Sequence, residues 1–193
     1  VAVRVVIAED EAIVRLDLKE IMQEEGFEVV GETGRGDEAL ELIRQQRPDL
    51  AILDIKMPGM DGLSVAREVS AARLCAVLIL TAFSQRDLID QARQAGAMGY
   101  LVKPFQKAEL IPAVEIALGR FAEMKALDEQ VKSLEESVEA RKAVERAKGL
   151  LMDELGWKEQ QSFSWIQKTA MSERVTMLEV AKRVIGGFRP DPS

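Results

Sequence analysis

The sequence predicts an α/β fold, a parallel sheet flanked by helices over residues 1–120, followed by a helical linker and a small three-helix piece. Three observations carry this. Five short apolar runs alternate with segments of helical spacing, the pattern of strands joined by helical crossovers. Several of these runs end in charged or hydroxyl residues beside turn formers, as strands do at the carboxyl edge of a parallel sheet. After Phe105 the apolar residues keep helical spacing to the end of the chain, with no further strand pattern.

Val3-Arg4-Val5-Val6-Ile7-Ala8 is a β-branched run that closes in Glu9-Asp10-Glu11. Ile13, Leu16, Ile21 and Met22 then repeat at helical spacing until Gly26 stops the helix. Phe27-Glu28-Val29-Val30 reads as the second strand. Gly34-Arg35-Gly36 opens a helix through Leu40 and Ile43, with Pro48 just beyond it. That glycine pair lacks the Lys-Ser/Thr of a nucleotide loop and reads as a turn. Leu50-Ala51-Ile52-Leu53 runs straight into Asp54, and Pro58, Gly59 and Gly62 then break the chain. A helix over 63–69, a strand over 75–80 ending at Thr81, a helix over 86–95 and a strand over 98–102 ending at Lys103-Pro104 complete the alternation. With right-handed crossovers and short loops, the favoured arrangement is the flavodoxin-like order 2-1-3-4-5. Glu9, Asp10, Asp54, Thr81 and Lys103 then all reach one edge, each from the end of a strand.

Beyond Phe105, Pro112 lies too deep in a helix for the first turn, so a kink or a delayed start is expected there. Met124, Leu127, Val131, Leu134 and Val138 alternate steps of three and four, a coiled-coil seam of about two heptads. A helix packing on its own domain is the competing reading. Gly156 ends this helix. Phe163, Ile166 and Ala170, then Val175, Leu178, Ala181, Val184 and Ile185, mark two more helices before Gly186-Gly187 and Pro190. The expected domains are 1–120, a linker 121–139 and a three-helix domain 140–189.

Composition narrows the chemistry. The chain has 193 residues, 47% apolar and 31% charged, ordinary for a soluble protein with one core and an appendage. No apolar run approaches the ~20 residues of a membrane span, and the N-terminus has no signal-peptide layout. Cys75, the only cysteine, sits inside an apolar run as a packed thiol. These features point to the cytoplasm and to no membrane partner. Histidine is absent, which excludes Ser-His and Cys-His catalysis and histidine zinc sites within the chain. Chemistry must run on carboxylates, hydroxyls and lysines. The net charge of −7 divides into −6 over 1–120, −4 over 121–139, +4 over 140–189 and −1 from Asp191. A basic segment on an acidic chain suits nucleic acid, with a solvated helical face as the alternative.

Taken alone, Asp54 could be a loop residue or a helix N-cap. Grouped with Glu9 and Asp10 it is one of three carboxylates whose repulsion a cation with oxygen ligands relieves. Mg²⁺ suits that edge, since it accepts one or two carboxylates, keeps waters and bridges to phosphate. Asp54 could then attack a phosphoryl group in line, with Lys103 and the Thr81 hydroxyl on its oxygens.

This constellation resembles the receiver domain of two-component response regulators. The resemblance covers residues 3–120 and rests on Glu9-Asp10, Asp54, Met57-Pro58-Gly59-Met60-Asp61-Gly62, Thr81-Ala82, and Tyr100 three residues before Lys103-Pro104. It implies that Asp54 accepts a phosphoryl group from a phosphohistidine on a sensor histidine kinase. It implies too that Asp10, Asp54 and the backbone carbonyl of Lys56 hold Mg²⁺, with Glu9 acting nearby through water. Thr81 and Tyr100 match the pair that moves on activation. Glu9 stands where Asp is commoner. Phosphatases of the haloacid dehalogenase type also use a strand-end Asp, but they need a second acid two positions on, where this chain has Lys56.

Residues 140–181 resemble the ANTAR domain, an RNA-binding module of transcription antiterminators, at Ala140-Arg141, Ala147-Lys148-Gly149-Leu150-Leu151-Met152, Gly156, Phe163, Ala170-Met171 and Val180-Ala181. Ser162, Gln167 and Arg174 depart from the family's usual Ala, Arg and Asn. The resemblance implies binding to structured RNA such as hairpin loops. Arg141, Lys142, Arg146 and Lys148 crowd two turns of one helix and are the candidate phosphate contacts. Trp157 and Trp165 could stack on a base, or pack in the core. DNA binding is the runner-up output, although the last helix carries only Lys182 and Arg183; a protein-interaction output is the other. A homodimer that forms on phosphorylation is expected through the seam.

Overall fold

The computed structural model describes residues 2–82 and 86–190. Five strands alternate with helices: β1 (Arg4–Ala8), α1 (Ala12–Glu24), β2 (Glu28–Thr33), α2 (Gly36–Gln46), β3 (Leu50–Asp54), α3 (Gly62–Ala71), β4 (Ala76–Thr81), α4 (Arg86–Gln94) and β5 (Gly99–Val102). Three helices follow, α5 (Lys107–Leu155), α6 (Glu159–Glu173) and α7 (Met177–Ile185). The chain divides into two compact units, one up to Lys125 and one from Ala126 onward.

In the first unit every strand pairing is parallel, in the order β2-β1-β3-β4-β5. This is the flavodoxin-like order expected from the sequence. Alternation of side chains along each strand divides the core between two faces. Val6, Ala8, Ala51, Leu53, Val77 and Ile79 meet α2, α3 and α4 through residues such as Ile43, Val69 and Ala92. Val5, Ile7, Leu50, Ile52, Leu78 and Leu80 meet Leu18 and Met22 of α1 and Leu110 and Val114 of α5. All of β3 and β4 is buried, which explains why their sequences run apolar without alternation.

Register then positions the edge. Ala8 lies beside Leu53, Asp54 beside Leu80, and Thr81 beside Val102. Hence β1, β3, β4 and β5 finish together.

Differences from expectation lie at element ends. β2 extends to Thr33 rather than stopping near Val30. Pro112 does not delay α5, which begins at Lys107 and continues through it. The cost of one missing hydrogen bond is offset by burial of Leu110, Val114 and Ala117 at 0% exposure.

The second unit packs Val144, Ala147 and Leu151 of α5 against Ile166 and Ala170 of α6 and Val180, Ala181 and Val184 of α7. Thr176 and Glu179 cap α7 reciprocally. Trp157 and Trp165 pack against this core with ring centres 6.1 Å apart, edge to face, and Phe188 lies 5.9 Å from Trp165. Both tryptophans therefore serve packing first.

Candidate functional site

The carboxylate edge is built from four strand ends. Lys103, just past β5, is held to β4 by its backbone N–H donating to the Thr81 carbonyl at 2.7 Å, and its peptide bond to Pro104 is cis. Its ammonium reaches Glu9 Oε2 at 3.0 Å, Asp54 Oδ1 at 3.2 Å and Glu11 Oε1 at 3.3 Å. Carboxylate oxygens of Glu9, Asp10 and Asp54 lie within 4.8 Å of one another. Glu9 and Asp54 are 0% and 3% exposed, whereas Asp10 faces solvent. A cleft of about 290 Å³ opens here, lined by Asp10, Glu11, Asp54, Lys56, Thr81 and Lys103 among others.

The electrostatics are those of too much negative charge. Glu9, Asp10, Glu11 and Asp54 with one ammonium leave a formal −3. Burial lifts the Glu9 carboxyl above its ordinary range, although the Glu11 N–H and Lys103 both pull it down. Burial also lifts Asp54, against the opposing charge of Lys103. For Lys103 burial acts downward, but the hydrogen bond to Glu9 and the charge of Asp54 outweigh it, so its pKa is raised.

This donor set fits a hard divalent cation. Ligand oxygens around octahedral Mg²⁺ lie about 3–4 Å apart, given bonds of about 2.1 Å. The three carboxylates thus need only a small inward movement, and the single charge of Lys103 meanwhile bridges two of them, Glu9 and Asp54.

The loop after Asp54 is fixed by contacts that side chains would destroy. A Cβ on Gly62 would stand 1.9 Å from the Asp54 carbonyl oxygen, and one on Gly36 would stand 1.8 Å from the Met60 carbonyl oxygen. Gly62 N–H donates to Ile55 O at 2.9 Å and Gly36 N–H to Pro58 O at 3.1 Å. Asp61 caps α3 by accepting from Ser64 N–H at 2.9 Å. So the segment that carries the Lys56 carbonyl is clasped between α2, α3 and the end of β3.

Sequence reasoning grouped Glu9, Asp10, Asp54, Thr81 and Lys103, and the structure brings these together. Tyr100 lies elsewhere on β5, 45% exposed. Sequence reasoning left out Glu11, whose partner is 92 residues away, and treated Gly36 as a plain turn residue. Adjacency to Glu9-Asp10 was the available signal for Glu11. Nothing local announced the close approach at Gly36.

The four basic candidates in the second unit separate into two kinds. Arg141, Lys142 and Arg146 are exposed. Lys148 is 6% exposed, and its ammonium meets Glu159 at 2.7 Å and Glu145 at 2.9 Å. The hydrogen bond to Glu159, then that to Glu145, holds its pKa up. Grouping all four as one phosphate-facing patch therefore needs correction. Lys148 joins α5 to α6, and a phosphate would have to displace two carboxylates to reach it.

Comparison with known proteins adds the following. Residues 5–115 match the model of the response regulator receiver domain, and residues 132–185 match that of the ANTAR domain. The chain is 54% identical over 182 residues to the transcriptional regulatory protein PdtaR of Mycobacterium tuberculosis, covering 94% of this chain and 89% of that one. It is 37% identical over 116 residues to the chemotaxis protein CheY of Bacillus subtilis, covering 60% of this chain and 97% of that one. Among solved structures, the receiver domain of the putative response regulator NarL from Mycobacterium tuberculosis superposes with a TM-score of 0.59. That match has 37% identity and covers 61% of this chain and 97% of that one.

Proposed function

The chain belongs to the response regulators that join a receiver domain to an ANTAR domain, and from that premise we propose that it is a phosphorylation-controlled RNA-binding regulator acting in transcription antitermination. Asp54 is the phosphoacceptor and a sensor histidine kinase the donor. The observation that carries this is the Lys103 ammonium set between Glu9 and Asp54, with Asp10 at the same edge.

An Asp54 carboxylate oxygen bonds to phosphorus as the phosphorus–nitrogen bond of the phosphohistidine breaks, and the electron pair leaves with the imidazole. Lys103 steers the incoming anion and holds its oxygens, and the Thr81 hydroxyl donates to one of them. Asp10, Asp54 and the Lys56 carbonyl hold Mg²⁺, with Glu9 beside them. When bound, Mg²⁺ supplies charge neutralisation for the equatorial oxygens. The chain itself performs no turnover on an outside substrate beyond this self-phosphorylation and its hydrolysis. Thr81 and Tyr100 report the new charge to the output.

In the second unit, Arg141, Lys142 and Arg146 present exposed cations to phosphate, and structured RNA is the partner. The +4 balance of 140–189 on an acidic chain supports a local patch rather than general polyanion binding. Phosphorylation shifts the chain toward a homodimer through α5, by the difference in free energy between the two receiver states.

Acetyl phosphate with Mg²⁺ should add one phosphoryl group by intact mass, and Asp54→Asn should take none. Undiminished labelling of that variant would move the acceptor elsewhere. Binding should be compared for hairpin RNA, unstructured RNA and duplex DNA at matched salt, on the phosphorylated chain. Preference for the duplex would favour DNA output; no binding to any would leave a protein-interaction output.

A further inference from the structure

Glu11 stands at the N-cap of α1 with extended backbone, φ −75° and ψ 107°, yet its side chain caps nothing. A shorter acid there accepts from an N–H of the first turn. The Glu11 carboxylate goes instead to the Lys103 ammonium at 3.3 Å, from the far end of the chain. Lys103 thereby holds three carboxylates, Glu9, Asp54 and Glu11, one for each N–H donor of an ammonium. Their surroundings differ sharply. By side chain Glu9 is 0% exposed, Asp54 5% and Glu11 64%. Glu9 is tied further by the Glu11 N–H donating to its Oε1 at 3.1 Å. Glu11 also lines the cleft from which Asp54 and Lys103 are reached.

We propose that Glu11 is the carboxylate that Lys103 exchanges for the phosphoryl group, a positioning residue that weakens the receiver's hold on that group. This rests on the reading that Asp54 is the phosphoacceptor. A phosphoryl group brings about two negative charges to an ammonium already crowded by anions. Asp54 gives up its own charge as its oxygen forms the acyl phosphate bond. Glu9 has no water to turn to and stays. Glu11 keeps its charge, stands on the open side and regains water on leaving, so the dianion displaces it at small cost. In the resting chain it holds the ammonium toward the cleft mouth, and each phosphorylation event has to break that contact.

Beryllofluoride, which bonds to a carboxylate oxygen as a phosphoryl group does, tests the exchange on the full chain by ¹⁹F NMR titration at saturating Mg²⁺. Glu11→Gln keeps the reach and removes the charge. Glu11→Asp keeps the charge and, one methylene shorter, loses the reach to Lys103. Both should bind beryllofluoride more tightly than the parent, by about threefold, as expected for release of one weak exposed contact. A tighter Glu11→Gln beside a Glu11→Asp equal to the parent overturns the proposal, because the field of the charge alone would then be at work. Equal binding by all three chains also overturns it. The second measurement needs neither metal nor phosphoryl group. In ¹⁵N-lysine-labelled chain without Mg²⁺, the Lys103 ammonium signal, assigned by its loss in Lys103→Arg, should shift in both Glu11 variants. A signal unmoved in Glu11→Asp overturns the contact itself. Failure of the Asp54 reading looks different: the parent would take up no beryllofluoride, while the ammonium signal would still respond to Glu11, and the proposal would fall with that reading.

Discussion

Asp54 and Glu9 are carboxylates kept from water, and burial raises the pKa of both above the ordinary 3.8 and 4.5. A raised carboxyl pKa means that folding favours the protonated form. Its contribution to stability is present below the unfolded value and is lost as pH climbs through the raised one. Without metal, the first unit should therefore lose stability as pH rises from about 4 through that window. Glu9→Gln and Asp54→Asn should melt a few degrees above the parent at pH 7 in a chelator, with the gap closing below pH 4. Equal or lower melting temperatures at pH 7 would show that Lys103 fully compensates the crowding. A second residue-scale outcome concerns Gly62. Its absent side chain lets the Asp54 carbonyl pass, so Gly62→Ala forces backbone apart and should cost about 2–3 kcal/mol, read by denaturant unfolding. The phosphorylation rate should fall with it, since Asp54 moves. A Gly62→Ala chain labelled at the parent rate would show that the loop absorbs the methyl elsewhere.

Helix α5 shows how one element serves two ends. Its first turns complete the receiver core through Leu110, Val114 and Ala117, while its last turns bring Val144, Ala147 and Leu151 to the second core. Between α5 and α6 the link is Lys148, with Glu145 61% and Glu159 70% exposed by side chain. These acids regain water when Lys148 is removed, so the pair is worth little as charge. The buried stem contributes more. Lys148→Met should accordingly keep the fold and RNA binding, whereas Lys142→Glu with Arg146→Glu should abolish binding and spare Asp54 labelling. Loss of RNA binding in Lys148→Met, with an unchanged melting curve, would return Lys148 to the phosphate contacts. At α7, Thr176→Ala removes the hydroxyl half of the capping box and leaves the Thr176 N–H on Glu179, and should destabilise the second unit by about 1 kcal/mol, measured by urea unfolding.

At the scale of the whole molecule, an acidic receiver accompanies a basic output, so salt dependence reports how many cations meet RNA. With Arg141, Lys142 and Arg146 from two copies, six contacts at ~0.7 each predict a slope of log K against log salt of roughly −4. A monomer using the same three residues would give roughly −2. Titrating a hairpin RNA from low to high salt, with and without acetyl phosphate, therefore reads binding and association together. Light scattering supplies the independent measure, with a mostly monomeric resting chain that dimerises on phosphorylation. A tight dimer before treatment and no change after it would uncouple association from Asp54.

The chain's own order determined the sheet, because buried strands such as Leu50–Asp54 and Ala76–Thr81 and the helices between them each carry a local period. The strand-end residues Glu9, Asp10, Asp54, Thr81 and Lys103 were legible for the same reason: in a parallel sheet every strand finishes at one edge. What the sequence left open was set by contacts between distant segments. Glu11 met Lys103, Gly36 admitted the Met60 carbonyl, and Lys148 turned from the exposed side of α5 to Glu159. Spacing along a helix states which residues share a face. Only packing against another element decides which of them still meets water, and so whether a lysine is a ligand for phosphate or a pin between helices.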